Sequence, residues 1–304
     1  MENHKINFSI IIPHKNIPQL LCRCLESIPV RNDVQVIVVD DNSEESFTGC
    51  NQPPCNFEYY VNEKGNGAGA ARNIGIEKAV GRWIVFADAD DFFTPSLSKM
   101  MDKYNDSDAD VVLFPIKVVN SDTLEEGEWR NSNFNELVNN PLKDNKHKLL
   151  ETAALWSKFI KRGMIENNQI RCEEIFCSND QMFSAKVAIS ANNIVCDTKN
   201  CIYTLTYRTG SLTRNRNRQI FDCRLSAELR FYSLINANDI TIQRATYPRY
   251  ISWAAEYGFK CLIDTHKKMV VAKVGAWSDS FLHSIPFSFS KALIKTIWYK
   301  IKTE

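Results

Sequence analysis

The stretch VFADADDF, residues 85–92, sets three carboxylates, Asp88, Asp90 and Asp91, at the end of an apolar run. A second run, VQVIVVDDNS, ends in Asp40 and Asp41. Gathered acids repel one another: at about 4 Å and an effective dielectric near 20, each like-charge pair costs on the order of 4 kcal/mol. A divalent cation offsets that, and Mg2+ or Mn2+ binds through one or two carboxylates, waters and the oxygens of a substrate phosphate. The plainer alternative is a solvated turn that caps a helix starting near Pro95.

A glycine-rich segment, KGNGAGAARN, opens what reads as a helix carrying Ile74, Ile76, Ala79 and Val80. Backbone amides at such a helix start can bind anions, and Arg72 in the first turn adds a fixed positive charge. Taken alone the glycines are weak evidence, since a flexible loop has the same composition. Asp41, at a strand end, is placed to accept from a base N–H or a ribose hydroxyl.

The elements that must position these groups follow from the apolar pattern. FSIIIP (8–13) is a short β-branched run stopped by proline, as expected of a strand covered on both faces. PQLLCRCLESI (18–28) has helical spacing behind a proline. VQVIVVD, NFEYYVNE and GRWIVFADADD add three strands, with the glycine-opened helix before the last. The resulting order, β, α, β, β, α, β, implies a mainly parallel sheet flanked by crossover helices. Ligands of such sheets bind outside the carboxyl ends of the strands, so Asp40, Asp41 and Asp88 to Asp91 are expected on one rim. Further on, the sequence predicts a helix at PSLSKMMDKY, one strand at ADVVLFPIKVV, and a polar loop or insertion over 120–147. A helix around HKLLETAALWSKFIKRGMI, another in SNDQMFSAKVAISA, a strand pair in NNIVCDTKNCIYTLTYRTGS and a helical region from about 215 to 282 follow.

The 304 residues suit one large α/β domain with or without an appendage. Lysine plus arginine number 37 against 36 for aspartate plus glutamate, so no bulk charge draws the chain to nucleic acid or an acidic membrane. The ten cysteines lack the spacing of paired zinc knuckles, and the amino terminus lacks a secretory pattern, which together read as reduced thiols in a cytoplasmic protein. No window offers about 18 uninterrupted apolar residues.

FSIIIPHKN, IVVDDNS, GAGAARNIGI and FADADD, in this order, resemble the nucleotide-binding half of the family 2 glycosyltransferases, inverting enzymes of the GT-A fold. The resemblance is strong over residues 8–100 and thinner over 150–215. It implies a GT-A domain over 1–214 with a helical carboxyl-terminal region over 215–304, and a hexosyltransferase-type enzyme using a nucleotide-sugar donor, chiefly a UDP-sugar. Pro13 to Lys15 would line the nucleotide pocket and Asp41 would read the uracil. Asp88 would face the ribose or sugar, while Asp90, with Asp91, would bind Mn2+ or Mg2+. The pair His14-Lys15 departs from the family, which usually has a small or apolar residue followed by tyrosine.

An inverting transfer also needs a carboxylate that takes the proton of the acceptor hydroxyl. The resemblance points to Asp180, at the start of a helix behind the WSKFIKRGMIENNQIRCEEIF segment with Trp156 and Lys158, although Asn179 replaces the usual glutamate. A helix-start acid favoured by the macrodipole is the alternative. Arg208, Ser211 and Arg214, in YTLTYRTGSLTR, would neutralise the departing diphosphate; Arg214, Arg216 and Arg218 also read as a solvated basic loop.

Residues 289–302, with Phe289, Leu293, Ile297 and Trp298 among Lys291, Lys295, Lys300 and Lys302, have the composition of a basic amphipathic helix. It would lie on the inner face of an anionic membrane, or dock on protein, including a second copy of the chain. A glycan or lipid-linked oligosaccharide acceptor in cell-surface polysaccharide or capsule synthesis fits the first case. Two other readings stand beside a transferase: a nucleotide- or glycan-binding relative without turnover, and a nucleotidyltransferase, for which PHKNIPQ lacks the basic glycine-rich loop.

Overall fold

The structure is a computed structural model that describes residues 5–45, 47–50, 54, 56–127, 132–140, 144–208, 217–242, 244 and 246–274. The chain divides into two compact units, Met1–Asn215 and Arg216–Glu304. Ser211, Arg214, Arg216 and the 289–302 segment lie outside the described residues.

In the first unit the elements are β1 (Phe8–His14), α1 (Pro18–Glu26), β2 (Val34–Asp40), β3 (Phe57–Val61), α2 (Ala68–Lys78), β4 (Trp83–Phe86), β5 (Phe92–Phe93) and α3 (Ser96–Tyr104). They continue with β6 (Val111–Leu113), β7 (Ile116–Asn120), α4 (Ser132–Asn139), α5 (Asn145–Glu151), β8 (Lys158–Lys161), α6 (Arg162–Asn167), α7 (Gln181–Ser190), β9 (Ile194–Cys196) and β10 (Tyr203–Tyr207). The first six elements match the order expected from the apolar pattern.

Seven strands form the central sheet, in the order β3-β2-β1-β4-β8-β6-β9. The β1–β2, β1–β4, β2–β3 and β6–β9 pairs are parallel, while β8 runs antiparallel to both β4 and β6. All seven residues of β1 and of β2 are buried, which is why these strands read as continuous apolar runs rather than alternating ones. A second sheet has the order β5-β10-β7, with β10 antiparallel to β5 and parallel to β7.

Four departures from the sequence expectations stand out. The expected helix around 147–165 contains a strand, β8, lodged between β4 and β6; at four residues it is too short to show a period, and its assignment comes from its neighbours. The run ADVVLFPIKVV breaks at Phe114–Pro115 into β6 and β7, one in each sheet. The expected strand pair at 192–211 is two strands of different sheets, β9 and β10, which do not pair with each other. The polar stretch 120–147 carries α4 and the start of α5, the latter capped by Asp144, whose carboxylate accepts the His147 N–H.

The chain order reverses between β1 and β4, because β2 and β3 lie on one side of β1 and β4 on the other. Crevices at such switch points are the binding positions of open α/β sheets. Pro13 stands at this point of β1. The Ile11 carbonyl faces β4, accepting the Ala87 N–H at 3.1 Å. Two residues on, Pro13 turns its missing N–H the same way, past the last β1–β4 pair, Ile11 with Phe86.

The second unit contains α8 (Arg218–Ala237), α9 (Thr246–Ala255) and α10 (Phe259–Val271), as the helical pattern predicts. Its aromatic core includes Phe221, Tyr250 and Trp253. Arg218, expected in a basic loop, is instead the first residue of α8 and pairs with Asp222 at 2.8 Å. Among the described residues, no helix is long and apolar enough to cross a membrane.

Candidate active site

Three short segments meet at the carboxyl ends of β1, β2 and β4. After β4 the chain turns through Asp88-Ala89-Asp90-Asp91, with the Asp91 N–H bonded to the Asp88 carbonyl at 3.0 Å. That turn sends the acids in different directions. Asp88 is partly exposed, and one of its oxygens accepts from Arg72 at 2.6 Å. Asp90 is also partly exposed, with Arg208 at 3.7 Å. Burial raises the pKa of Asp90, the Asp88 charge adds to the rise, and Arg208 opposes it.

Asp91 is 1% exposed and turned inward. One of its oxygens accepts the Tyr203 hydroxyl at 2.7 Å and the other the Thr206 N–H at 2.6 Å. Its expected part in holding a metal is therefore corrected: both oxygens are bonded within the protein, to the strand of another sheet. Burial, then the charges of Asp90 and Asp88, push its pKa well above the ordinary carboxylate value.

The DADD turn is held from two further sides. Arg23 of α1 donates to the Asp90 carbonyl at 2.6 Å and to the Ser121 carbonyl at 2.9 Å, and the Thr206 hydroxyl donates to the same Asp90 carbonyl at 2.8 Å. Tyr203 accepts the Asp88 N–H at 2.9 Å, and the Trp156 ring stacks on the Tyr203 ring at 5.7 Å. Arg23, Tyr203 and Thr206 escape a reading of sequence, because each partner lies far along the chain and no local spacing marks them.

At the end of β2, Asp41 is buried and accepts the Gly67 N–H at 3.0 Å and the Asn62 amide at 2.8 Å. The backbone amide expected to meet an anion at the start of α2 thus already meets one, the Asp41 side chain. Gly67 has φ of 98°, a conformation that glycine adopts without strain. Lys15 bridges the rim of β1 to this point, donating to the Asp41 carbonyl at 3.0 Å with its ammonium 3.6 Å from the carboxylate. His14, by contrast, is buried, and its Nδ1 lacks a hydrogen-bond partner among the described residues. Burial lowers its pKa, with Asp40 opposing.

Arg72 ties the donor-side acids to the segment before α7. It is 8% exposed, and its guanidinium donates to Asp88 at 2.6 Å and to the Asn179 side chain at 2.8 Å. Burial works against its charge, yet Asp88 and Asp180 carry its pKa upward. The approach needs a glycine at 69: a Cβ there would lie 2.1 Å from the Glu173 carbonyl oxygen and 3.0 Å from the Asn179 Cβ. Asp180 is the residue before α7, and its side chain does not cap that helix. Burial raises the Asp180 pKa, and Arg72 and Lys158 hold it back.

Of the expected residues, the structure joins Lys15 to Asp41, Arg72 to Asp88 and to Asn179 beside Asp180, and Arg208 to Asp90, and it turns Asp91 inward. Among the described residues no group of three histidine, cysteine, aspartate or glutamate side chains could hold a metal by itself. One or two carboxylates with substrate phosphate oxygens remain a fitting donor set for Mg2+ or Mn2+. Asp90 suits that role, since its pKa is raised by burial and then by the Asp88 charge, both of which a bound cation would offset.

Known proteins resemble this chain in sequence and in fold. Residues 9–163 match the family described as Glycosyl transferase family 2. EpsH of Bacillus subtilis is 24% identical over 230 residues, which is 72% of this chain and 66% of that protein. The poly(ribitol-phosphate) beta-N-acetylglucosaminyltransferase TarS of Staphylococcus aureus is 25% identical over 221 residues, 67% of this chain but 36% of that protein. The chain therefore spans less than two thirds of either. The crystal structure of TarS 1–349 in complex with UDP-GlcNAc superposes with a TM-score of 0.60 at 19% identity, over 96% of this chain and 79% of that one. The mannosyltransferase PcManGT from Pyrobaculum calidifontis, in complex with GDP-Man and Mn2+, gives a TM-score of 0.55 at 14% identity, over 99% of this chain and 84% of that one. The GT-A fold expected from the sequence is the fold these structures share. With half of its length matched by the family and its four motifs folded around one crevice, the chain belongs to glycosyl transferase family 2.

Proposed function

We propose that this chain is an inverting, metal-dependent glycosyltransferase that moves a sugar from a UDP-sugar to a hydroxyl of a cell-surface glycan or its lipid-linked precursor. The observation that carries the reading is the Arg72 bridge: one buried guanidinium joins Asp88, on the expected donor side, to Asn179, next to the expected base Asp180.

Asp41 and Lys15 set an acceptor beside a donor, which suits the N–H and carbonyl edge of uracil. Pro13, at the end of β1, would line the nucleoside pocket. Asp88 would meet the ribose or sugar, and Asp90 would hold Mn2+ or Mg2+. When bound, such an ion would neutralise diphosphate charge. Arg208, and Ser211 and Arg214 beyond it, would add positive charge and donors on the same side. Asp180 takes the proton of the acceptor hydroxyl as that oxygen bonds to C1. The bond from C1 to the diphosphate oxygen breaks on the opposite face, its electron pair leaving with the diphosphate. A half-buried base whose pKa is raised by desolvation, with Arg72 and Lys158 opposing the rise, suits proton removal.

The names of relatives support the acceptor class: TarS is named for transfer to poly(ribitol-phosphate). A cytoplasmic enzyme, held at the inner membrane face or on a second copy through 289–302, would meet such a polymer where it is built. The test is calorimetric titration with UDP, with and without Mn2+, followed by release of sugar from UDP-sugars. Binding tightened by the metal and slow sugar release are expected; no nucleotide binding in either condition would overturn the reading.

A further inference from the structure

Lys158, at the start of β8, is 1% exposed, an unusual place for an ammonium group. Among the described residues its Nζ donates to the carbonyl of Ala154 and forms no ion pair within bonding distance. Two contacts tie this buried cation to the start of α7. The Ser184 hydroxyl donates at 2.7 Å to the carbonyl of Ala153, the residue beside that acceptor. Ser184 in turn donates its N–H to the Asp180 carbonyl at 2.9 Å, so Asp180 and Ser184 share one face of the helix. The 153–154 strand of backbone thus holds the lysine on one residue and the Asp180-bearing helix on the next.

The charged and titratable groups facing Asp180 are Arg72 from α2, Asp88 from the end of β4, Cys172 from the segment before α7, and Lys158 from β8. Arg72, bonded to Asp88 at 2.6 Å, is the stronger of the two cations acting on Asp180. Asp88 and the Cys172 thiol add nothing positive. Lys158 is the second cation acting on Asp180, and Asp180 is the acid whose charge acts on Lys158.

We propose that Lys158 is a positioning residue for the transfer: its buried ammonium keeps the Asp180 carboxylate ionised beneath the acceptor site, without itself touching substrate. The proposal rests on the transferase reading above. It also accounts for why an ammonium, which burial penalises, sits in a strand where a hydrophobic side chain would pack without that cost.

The test uses the full chain with Lys158→Met, close in size and uncharged, and with Asp180→Asn. Carbon-13 spectra of the aspartate carboxyls follow the Asp180 titration directly, and the pH profile of sugar release from the UDP-sugar follows its consequence. In Lys158→Met the Asp180 midpoint is expected to rise by roughly one unit, and the acidic limb of the profile to move with it. Near that limb turnover falls about tenfold, with UDP affinity unchanged. A folded Lys158→Met chain with an unmoved Asp180 midpoint and an unmoved limb would overturn the proposal. If that variant does not fold, Asp180→Asn is read from the lysine side. Coupling is reciprocal, so the Lys158 midpoint must fall, and a midpoint that stays in place overturns the proposal equally. Failure of the underlying reading looks different: Asp180→Asn would then keep wild-type sugar release.

Discussion

Tyr203 and Asp91, 112 residues apart, are joined by a 2.7 Å hydrogen bond from phenol to buried carboxylate. The same phenol oxygen accepts the Asp88 N–H, so one side chain fixes both ends of the acidic turn. Burial, and then the Asp91 charge, push the Tyr203 hydroxyl well above its ordinary pKa, which keeps it a donor throughout the working range. Tyr203→Phe is expected to cost about 1–3 kcal/mol, because it leaves a buried carboxylate short of a donor. Thermal melting measures that loss, and UDP affinity in Mn2+ is expected to fall with it.

Asp90 and Asp91 are expected to separate by role. Asp90→Asn keeps the fold and removes the tightening of UDP binding by Mn2+, since that carboxylate opens to the crevice. Asp91→Ala lowers the melting temperature through the buried donors it strands at Tyr203 and Thr206. Calorimetry and melting on the two variants side by side would expose a reversed pattern at once.

Removing the proposed base by Asp180→Asn is expected to cut sugar transfer by about 10²–10⁴-fold while leaving UDP affinity in place. In the wild type, activity falls as pH drops through the Asp180 pKa, because a base must be deprotonated to act. That pKa is raised by burial, so the fall comes at higher pH than for an exposed aspartate. Steady-state rates across pH test both statements.

Lys158 gives the fold a pH dependence of its own. Burial lowers its pKa from 10.5 to about 7, so between these values the unfolded chain binds the proton that the folded chain has lost. The stability contribution of this group therefore grows as pH rises from about 7 toward 10.5 and is smallest below that window. Urea unfolding of wild type and Lys158→Met at several pH values isolates it: the difference in slope across the window is the expected signal, and parallel curves would contradict it.

Replacing Arg72 by methionine leaves Asp88 without its partner and Asn179 without its donor. Because Asp88 keeps partial contact with solvent, the loss is expected to be about 1–3 kcal/mol. Sugar transfer is expected to be lost along with donor affinity, which separates this variant from Asp180→Asn.

The half of the molecule built from continuous apolar runs was legible because β1 and β2 are buried on both faces and a run of FSIIIP or VQVIVVD has few other uses. The acids at 88 and 90 were legible for a related reason, since charge at the end of such a run tends to leave the core, whereas Asp40 and Asp41 stay buried and are met there by Ser43, Tyr59, Asn62 and Gly67. Asp91 looked the same in sequence and goes the other way, since its fate depends on Tyr203 and Thr206 in another sheet. β8 was hidden because KFIK is short and its strand identity is imposed by β4 and β6. Arg23 read as one polar position of an amphipathic helix, and only the fold shows that it reaches the Asp90 carbonyl.

Gly69 leaves so little room beside Glu173 and Asn179 that the two stretches must be inherited together. A homologue carrying alanine or serine at this helix position would have to relocate the backbone ahead of its own base. Bulk at the one place and displacement at the other are therefore expected to co-vary across the lineage. Swapping either stretch alone between two such homologues would give a chimera whose donor and acceptor halves no longer close on one another.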